Sequence, residues 1–475
     1  MFYLCLFLSI AMIITGYLIP KFKVKNKQKF KTVITKILKI SVICLVALQF
    51  LSLFLPDAFV LNLSESEVAL TSNEKVFAIV RWLAAINTII LPIAVFYKNR
   101  TIRNIAIYFC TLTTILSIAF YNTYIQYFTS TLGKGISSIS FLSEGFKAFL
   151  INITFRSFLA GIIWTMQIII PAILAVEEKH VLNVKNIKEI GLFFAGILFV
   201  LINCIPIYVP MHIFGYTNIV FSAWSIPHIL WLLLTAIEMF VLYILFKNKD
   251  YETRKIICLI LSLCLLFAFN QMFTAKGITI KKLPLQLCNL ASYFILISLI
   301  FNSKKLFEFT AIINVAGVLF ALLIPDLENK GLFYLYNMHF ILEHTNILVV
   351  PILVMLFKIF PRFDKKSLKH CLIGFSIYFI SVLTLGTLFN GLVKITGNNI
   401  FEANYLFMFD EAVAESTIKG ISKLFAINFS IADFTFYPVI QGLIYLIFET
   451  LCILIYLTIK LIYRLSNKRL QKNNN

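Results

Sequence analysis

Uncharged apolar runs recur along the whole chain, and they constrain its fold more than any other feature of the sequence. Each run is about 18–25 residues long, which is enough for an α-helix to cross a hydrocarbon layer roughly 30 Å thick. Hydrophobic residues make up 60% of the sequence, whereas soluble globular proteins contain about half, so a soluble fold is excluded. Strands of a membrane β-barrel alternate in polarity and run only about 10 residues, which excludes a barrel as well.

Thirteen segments are predicted to be transmembrane helices. The sequence therefore predicts an all-α, polytopic transmembrane helical bundle. The first segment has no basic region before it and no small-residue cleavage site, so we interpret it as a retained helix and not as a signal peptide. The segments cover approximately residues 2–19, 37–56, 76–97, 105–125, 158–176, 191–210, 229–246, 256–273, 283–301, 306–325, 338–358, 371–395 and 436–464.

The net charge of +20 is concentrated in alternate connecting segments. Such an excess would suggest nucleic acid in a soluble protein, but here we attribute it to cytoplasmic loops and predict no nucleic-acid partner. The loop "KFKVKNKQKFKTVITK" after the first span is the most basic, and only "TAKGITIKK" in the opposite set conflicts with the pattern. The positive-inside rule then predicts a multi-pass cell-membrane protein with its N-terminus outside and its C-terminus in the cytoplasm.

A weak internal repeat divides the chain. At an offset of 180, Pro171 aligns with Pro351 and Lys185 with Lys365, and a basic connector follows each helix. Repeats with even numbers of spans keep the same orientation. We therefore predict two six-helix units plus a closing helix, with residues 1–215 as the first domain and 216–475 as the second.

Polar side chains of the second domain are predicted to converge on its outer side. His339 and Glu343 are four residues apart and share a helical face, while His344 is rotated by about 100° from Glu343. Cys288 lies one to two turns inside its span. The converging residues are His228, Gln286, Cys288, Asn289, Asp326, His339, His344, Asn390, Asn404 and Tyr405.

Nucleophilic acyl transfer is the chemistry that requires these residue types together. A thiol attacks a carbonyl carbon as thiolate, which requires a neighbouring base such as His, and amides can donate to a developing oxyanion. Inert packing of Cys288 and an interfacial role for the histidines are the alternatives. A metal site is a further possibility, but neither HxxxH nor CxxC spacing supports it, so we predict no metal and no cofactor.

Three acidic residues lie inside apolar spans, where an ionised side chain is costly and often functional. Glu238 and Glu449 could form a proton or ion site, and Glu308 lies near the inner end of its span. Protonated, hydrogen-bonded carboxyls at helix contacts are the alternative interpretation.

The second domain resembles the YwaF-type family of bacterial integral membrane proteins. The ordered segments that carry the resemblance are "FSAWSIPHILWLLLTAIEMFVLYILF", "LPLQLCNLASYFILISLIFNSKKLFEF", "LLIPDL", the His344 helix, Asn390 with "NYLFM", and "YPVIQGLIYLIFET", together spanning about 221–465. The wider superfamily is similar to a vertebrate transmembrane acyltransferase that builds ether phospholipids through a cysteine nucleophile. The resemblance implies Cys288 as nucleophile and His344 as base, with His339 as a second candidate.

The sequence departs from that family at two places. Gln286 replaces the histidine that usually precedes the cysteine. In the first domain, Trp164 aligns with His344 and Leu159 with His339, so this domain is predicted to be a degenerate copy that packs or shapes the substrate.

Three functions stay open at this point. The first is a phospholipid acyltransferase near the outer leaflet, with membrane lipid as partner and His228, Gln286, Asn289, Asp326, Asn390, Asn404 and Tyr405 binding the substrate. The second is a transporter or permease that uses Glu238 and Glu449, and the third is a non-catalytic membrane scaffold. The sequence does not specify the acyl chain or the oligomeric state.

Overall fold

The computed structural model describes most of the chain. The predicted first span, 2–19, lies outside the described residues except at a single position. The described residues are 7, 27–53, 55, 57, 59–60, 71–131, 144–178, 182–276, 280–323, 325, 327, 330–417 and 420–473.

Helices make up almost all of the described secondary structure, which confirms the all-α polytopic class. Ten described helices are long and apolar enough to cross a membrane. Because a hydrocarbon layer supplies no hydrogen-bond partners, a helix that satisfies its own backbone is the favoured way to cross it. The ten candidate spans are Lys31–Leu53, Ser72–Phe96, Arg100–Ala119, Ile153–Ala175, Ile226–Phe246, Tyr251–Thr274, Lys304–Leu323, Leu335–Leu356, Lys365–Thr396 and Pro438–Leu465.

Contacts divide the chain into two compact units. The first comprises Met1–Asn218, Phe267–Gly277 and Gly331–His339, and the second comprises Ile219–Leu266, Ile278–Lys330 and Phe340–Asn475. The boundary passes through two helices, each of which contributes residues to both units.

Nine described α-helices form most of the described part of the first unit, and a π-helix, Ile105–Cys110, joins α3 to α4 in one span. Their bounds are α1 Lys27–Leu53, α2 Ser72–Phe96, α3 Arg100–Asn104, α4 Thr111–Ala119, α5 Tyr121–Thr131, α6 Glu144–Leu150, α7 Ile153–Glu178, α8 Ile187–Asn203 and α9 Val209–Phe214.

A buried amide cluster connects three of these helices. Asn87 on α2 donates through Nδ2 to Thr114 Oγ1 at 3.0 Å and to Gln167 Oε1 on α7 at 3.3 Å. Its Oδ1 accepts from Thr113 Oγ1 at 2.9 Å. A polar group buried without a partner is costly in an apolar interior, so these mutual hydrogen bonds favour one alignment of α2, α4 and α7.

The second unit contains all or most of each remaining described α-helix and a short hairpin. The two strands pair antiparallel, with Ser430 opposite Thr435. Helix α13 packs against α12, α15 and α17. The bounds are α10 Ile226–Phe246, α11 Tyr251–Lys276, α12 Leu287–Ile300, α13 Lys304–Leu323, α14 Leu335–Leu356, α15 Lys365–Thr396, α16 Glu411–Thr417, β1 Phe429–Ile431, β2 Phe434–Phe436 and α17 Pro438–Asn473.

Two predicted spans form shorter helices than expected. The segment predicted as 191–210 forms α8, which has 17 residues and ends at Asn203, shortly before Pro206. The segment predicted as 283–301 forms α12, which has 14 residues and begins only at Leu287. Proline lacks a backbone N–H and disfavours helical geometry in the residue before it, so Pro284 keeps the preceding chain out of the helix.

Close packing of α15 against two neighbouring segments depends on glycine. A Cβ placed on Gly386 would lie 2.3 Å from the ring of Phe409, and one on Gly391 would lie 2.4 Å from the ring of Phe434. Two segments, the chain that follows α15 and the β1–β2 hairpin, therefore approach α15 closely at positions where glycine has no side chain.

We predict that Gly386→Ala lowers the thermal stability of the protein, because overpacking of this kind costs about 1–3 kcal/mol. Gly442→Ala is the matched control, since nothing lies within 4 Å of a Cβ there and alanine is the better helix former by about 1 kcal/mol. Unfolding monitored by a thiol-reactive dye in detergent measures both variants. Equal melting temperatures for the two variants would contradict the packing described here.

Candidate functional site

Cys288 is the second residue of α12, at the point where the chain enters an apolar helix. Its thiol is half-buried and donates to Asn289 Oδ1 at 3.3 Å. The backbone N–H groups of Cys288 and Asn289 lie within reach of the sulfur. Burial and the carboxyl of Glu343 oppose ionisation of this thiol, whereas the unpaired N–H groups and the positive end of the helix dipole at the first turn favour it.

Gln286 precedes α12 and holds a neighbouring loop in place. Its Nε2 donates to the carbonyl oxygen of Asn404 at 2.7 Å, and its Oε1 accepts from the backbone N–H of Leu406 at 3.0 Å. Leu406 and Phe407 both have positive φ, at 53° and 58°, a conformation that is uncommon for residues other than glycine. Both polar atoms of the amide thus stabilise an unusual turn beside Cys288.

Three further predicted site residues hold the same loop. Asn390 makes a reciprocal pair with the backbone of Ala403, at 2.9 and 3.0 Å. Asn404 accepts through Oδ1 from the N–H of Phe409 at 3.2 Å. Tyr405 is fully buried and donates its hydroxyl to the carbonyl of Ile280 at 2.7 Å; burial raises the pKa of Tyr405 to about 12. A role of these residues in substrate binding stays a prediction.

Two residues near the thiol were not among the predicted site residues. Tyr378 on α15 donates to the carbonyl of Leu285 at 2.8 Å and lies close enough to Cys288 for electrostatic interaction. Glu343 on α14 is 2% exposed and also lies within electrostatic reach of Cys288. A buried carboxyl next to a histidine, in the sequence "LEH", is the signal that could have identified Glu343.

His344 follows Glu343 on α14 and has a defined orientation. Its Nδ1 lies 2.9 Å from the carbonyl oxygen of Phe340, and its ring stacks on the ring of Phe340 with 4.1 Å between centroids. A carbonyl oxygen only accepts, so Nδ1 carries the proton and Nε2 is the basic nitrogen of the neutral ring. In this tautomer, Nε2 is the nitrogen that can accept a proton.

The other two predicted histidines have different surroundings. His228 is fully buried, and its Nδ1 accepts from the backbone N–H of Trp224 at 3.0 Å, so it stabilises the turn before α10. His339 is assigned to the first unit, where its ring lies near Phe269 and Tyr336. Asp326 lies outside the described residues.

The three acidic residues that were predicted inside apolar spans occupy separate environments. Glu308 accepts from Ser367 Oγ at 2.5 Å and lies 2.6 Å from His370 Nδ1 and 3.1 Å from Lys304 Nζ, so it connects the starts of α13 and α15. Glu449 accepts from Ser376 Oγ at 3.4 Å. Glu238 is half-buried on α10.

Metal binding has no structural support within the described part of the chain. No group of three or more His, Cys, Asp or Glu side chains there is arranged as potential ligands. The described surroundings of the Cys288 thiol thus include an amide-held loop, a buried carboxyl and a phenol, and the oriented imidazole of His344 follows that carboxyl on α14.

Comparison with known families adds an independent finding. A sequence model of the TMEM164 family matches residues 220–457, about half of the chain, and this range contains Cys288, Glu343 and His344. It closely follows the range that resembles YwaF-type proteins, although the narrower YwaF-type assignment stays a prediction. No curated protein and no solved structure gave a significant match.

The amide of Gln286 yields a test of the loop. Gln286→Glu removes the donor to Asn404 but keeps the acceptor, whereas Gln286→Met removes both. We expect backbone amide exchange at residues 404–409 to be slowest in the wild type, faster in Gln286→Glu and fastest in Gln286→Met. Each successive variant lacks more of the hydrogen bonds that hold the turn. Hydrogen–deuterium exchange with mass spectrometry measures the effect.

Asn398→Ala is the control, since Asn398 accepts from the N–H of Ile400 in the adjacent turn and does not contact Gln286. Unchanged exchange at 404–409 in Gln286→Met would refute the proposed role of this side chain.

Proposed function

Because the chain belongs to the TMEM164 family, a family of transmembrane proteins, we propose that it is a membrane-embedded acyltransferase that uses Cys288 as its nucleophile. The observation that carries the proposal is the position of this thiol. It is the second residue of an apolar helix, where the backbone N–H groups of Cys288 and Asn289 favour the thiolate and the carboxyl of Glu343, a candidate proton acceptor, lies within electrostatic reach.

The proposed reaction has two steps. The thiolate of Cys288 attacks the ester carbonyl carbon of a phospholipid, the ester C–O bond breaks, and the departing alcohol takes the proton that the thiol gave up to a base. The acyl group is then held on sulfur as a thioester. A second lipid alcohol attacks the thioester, its proton passes to the base, and the thiol is regenerated.

A lipid substrate is consistent with the surface of the second unit. Large apolar side chains are exposed along α10, α15 and α17, among them Leu234, Phe240, Ile377, Ile380 and Leu446. Such surfaces face acyl chains in a bilayer, so a phospholipid could approach the unit laterally from the membrane.

Helix α14 supplies two candidates for the base. Glu343 lies within electrostatic reach of the thiol, while His344 has a basic Nε2 because its Nδ1 donates to Phe340. We assign proton transfer to this pair of neighbouring residues and not to position 286, where glutamine has no proton-accepting nitrogen at neutral pH.

A transporter that uses Glu238 and Glu449 is the alternative function. Its support is limited, because Glu449 has the surroundings of a hydrogen-bonded carboxyl at a helix contact, with Ser376 and Tyr445 beside it. A membrane scaffold without catalysis is the third possibility, and loss of Cys288 would leave either of these functions intact.

We predict that Cys288→Ala lowers acyl transfer by at least about 100-fold, because a nucleophile that forms the covalent intermediate cannot be replaced by binding alone. The measurement is transfer of an isotopically labelled acyl group from a phospholipid to a lysophospholipid in proteoliposomes, followed by mass spectrometry.

Cys44→Ala is the matched control, because Cys44 is an exposed free cysteine in the first unit. A thiol-blocking reagent should inhibit the wild type and Cys44→Ala equally. Transfer that persists in Cys288→Ala would overturn the cysteine mechanism.

A second pair of variants separates the two candidate bases. Glu343→Gln and His344→Gln each remove one titratable group with little change in volume. Since general bases contribute about 10²–10⁴-fold, we expect the variant that loses the base to slow thioester formation by at least about 100-fold and the other by less than about tenfold. Single-turnover trapping of the acylated cysteine measures this step, and equal rates in wild type and both variants would contradict the assignment to α14.

A further inference from the structure

The β1–β2 hairpin exposes apolar side chains outside the long helices. Strand β1 is exposed along its whole length, and its Phe429 and Ile431 side chains are 49% and 63% exposed. Ile427, just before the strand, is 56% exposed. Single exposed apolar residues are ordinary on a protein surface, but a group of them on one short segment marks an interaction surface.

The two faces of the hairpin differ in polarity. Because successive side chains of a strand point to opposite faces, the strand register places Ser430 and Thr435 together on one face, where their hydroxyl oxygens lie 3.0 Å apart. The other face carries only apolar side chains, those of Phe429, Ile431, Phe434 and Phe436. The hairpin is therefore amphipathic.

Strand β2 holds the hairpin against α15. A Cβ placed on Gly391 would lie 2.4 Å from the ring of Phe434, and Nζ of Lys394 donates to the hydroxyl of Thr435. The side chains of β2 are half-buried, whereas those of β1 are exposed. Strand β1 is therefore the outer edge of the hairpin.

The length of α15 places this contact at the boundary of the apolar layer. The helix has 32 residues and rises about 48 Å at about 1.5 Å per residue, which exceeds a hydrocarbon layer of roughly 30 Å. Its uncharged part begins at Cys371, so the roughly 20 residues that cross the layer end near Gly391. Lys394 follows as the one charged residue between Cys371 and the end of the helix.

The hairpin continues an apolar surface that α15 already exposes. Leu388, Leu392 and Ile395 are 46%, 36% and 57% exposed, and their spacing puts them on one stripe of the helix. Gly391, where β2 packs, borders that stripe. In a bilayer such a stripe faces acyl chains, so the surface next to it reaches the level at which the chains meet the headgroups.

The composition of the hairpin segment fits this level. Residues 425–440 contain four Phe and one Tyr but a single charged residue, Asp433, and aromatic side chains are enriched where membrane meets water. Asp433 lies at the turn next to Ala432, which has a positive φ of 52°, and both are exposed. Since a carboxylate stays hydrated, the hairpin lies along the membrane surface and does not enter it by its turn.

We propose that β1 inserts into the interfacial layer of the membrane at the C-terminal end of α15. The side chains of Ile427, Phe429 and Ile431 enter the lipid to the depth of about 5–10 Å that is typical of interfacial segments. Asp433 remains at the headgroups. The partner of this surface is membrane lipid, and the proposal does not depend on Cys288 or on acyl transfer.

Photolabelling of the wild-type chain in phosphatidylcholine proteoliposomes tests the insertion. One photoreactive phospholipid carries a diazirine on its acyl chain near the glycerol, and a second carries it at the chain end. We expect the first lipid to label residues 427–431 at least about tenfold more than the second, because interfacial segments stay shallow. Tandem mass spectrometry locates the labels.

Exposed residues inside the predicted core of α15 provide the reference for depth. Ile377 and Ile380 are 63% and 62% exposed, and the chain-end diazirine should label them. Labelling at 377–380 without labelling of 427–431 by either lipid would overturn the proposal.

A crosslinking amino acid distinguishes lipid from protein as the partner. With p-benzoylphenylalanine at position 429, irradiation should give an adduct whose added mass is that of phosphatidylcholine. A covalent link to a second copy of the chain, without a lipid adduct, would show that protein covers the strand and would refute the proposal.

Polar variants test whether the apolar edge holds the hairpin in lipid. Phe429→Ser combined with Ile431→Ser should lower labelling of residues 425–437 by the shallow lipid at least about fivefold, since the transfer of these side chains from water is lost. Ser430→Ala is the matched control, because it changes the polar face and keeps the apolar one. Unchanged labelling in the double variant would contradict the proposal, and unchanged labelling at 377–380 shows that the variant is folded.

The wild-type labelling and the crosslink at position 429 decide the proposal if the double variant does not fold.

Discussion

The absence of hydrogen-bond partners in hydrocarbon is the constraint on which the rest of this structure depends. A helix meets it internally, and the ten long apolar helices do so over most of the described chain. Wherever the chain leaves a helix, side chains must take over the same task. The stretch around α12 shows this directly, since Gln286, Tyr378 and Tyr405 all bond to backbone groups of segments outside the α-helices.

That requirement explains why the candidate site lies at a helix end. Continuous helix leaves its backbone groups paired, whereas the first turn of α12 presents N–H groups that can face the sulfur of Cys288. The loop after α15 approaches this turn because Gln286 bonds to Asn404 and Leu406. The unpaired N–H groups beside Cys288 and the packing of the loop are therefore both consequences of the start of α12 at Leu287, after Pro284.

The sequence predicted the fold class and most of the spans, because apolar length is a local property. It overestimated α8 and α12, since hydropathy does not register the backbone effects of Pro206 and Pro284. Within the candidate site, residue type and spacing pointed to Cys288 and His344, whose catalytic roles stay a prediction. Tyr378 could not be identified in this way, because its proximity to the thiol depends on the packing of α15. The sequence indicates only that Gln286 replaces a histidine, whereas in the structure both of its polar atoms hold the loop.

The first unit also illustrates what residue types alone do not reveal. Under the predicted repeat, Trp164 and Leu159 take the places of His344 and His339, and a degenerate copy would need only to pack. Both residues instead line a cavity whose wall contains the ion pair of Arg81 with Asp57 and a second guanidinium. Burying an ion pair costs several kcal/mol of desolvation unless its geometry and additional hydrogen bonds offset that cost. This domain therefore retains a polar interior at the positions where the repeat predicts only packing.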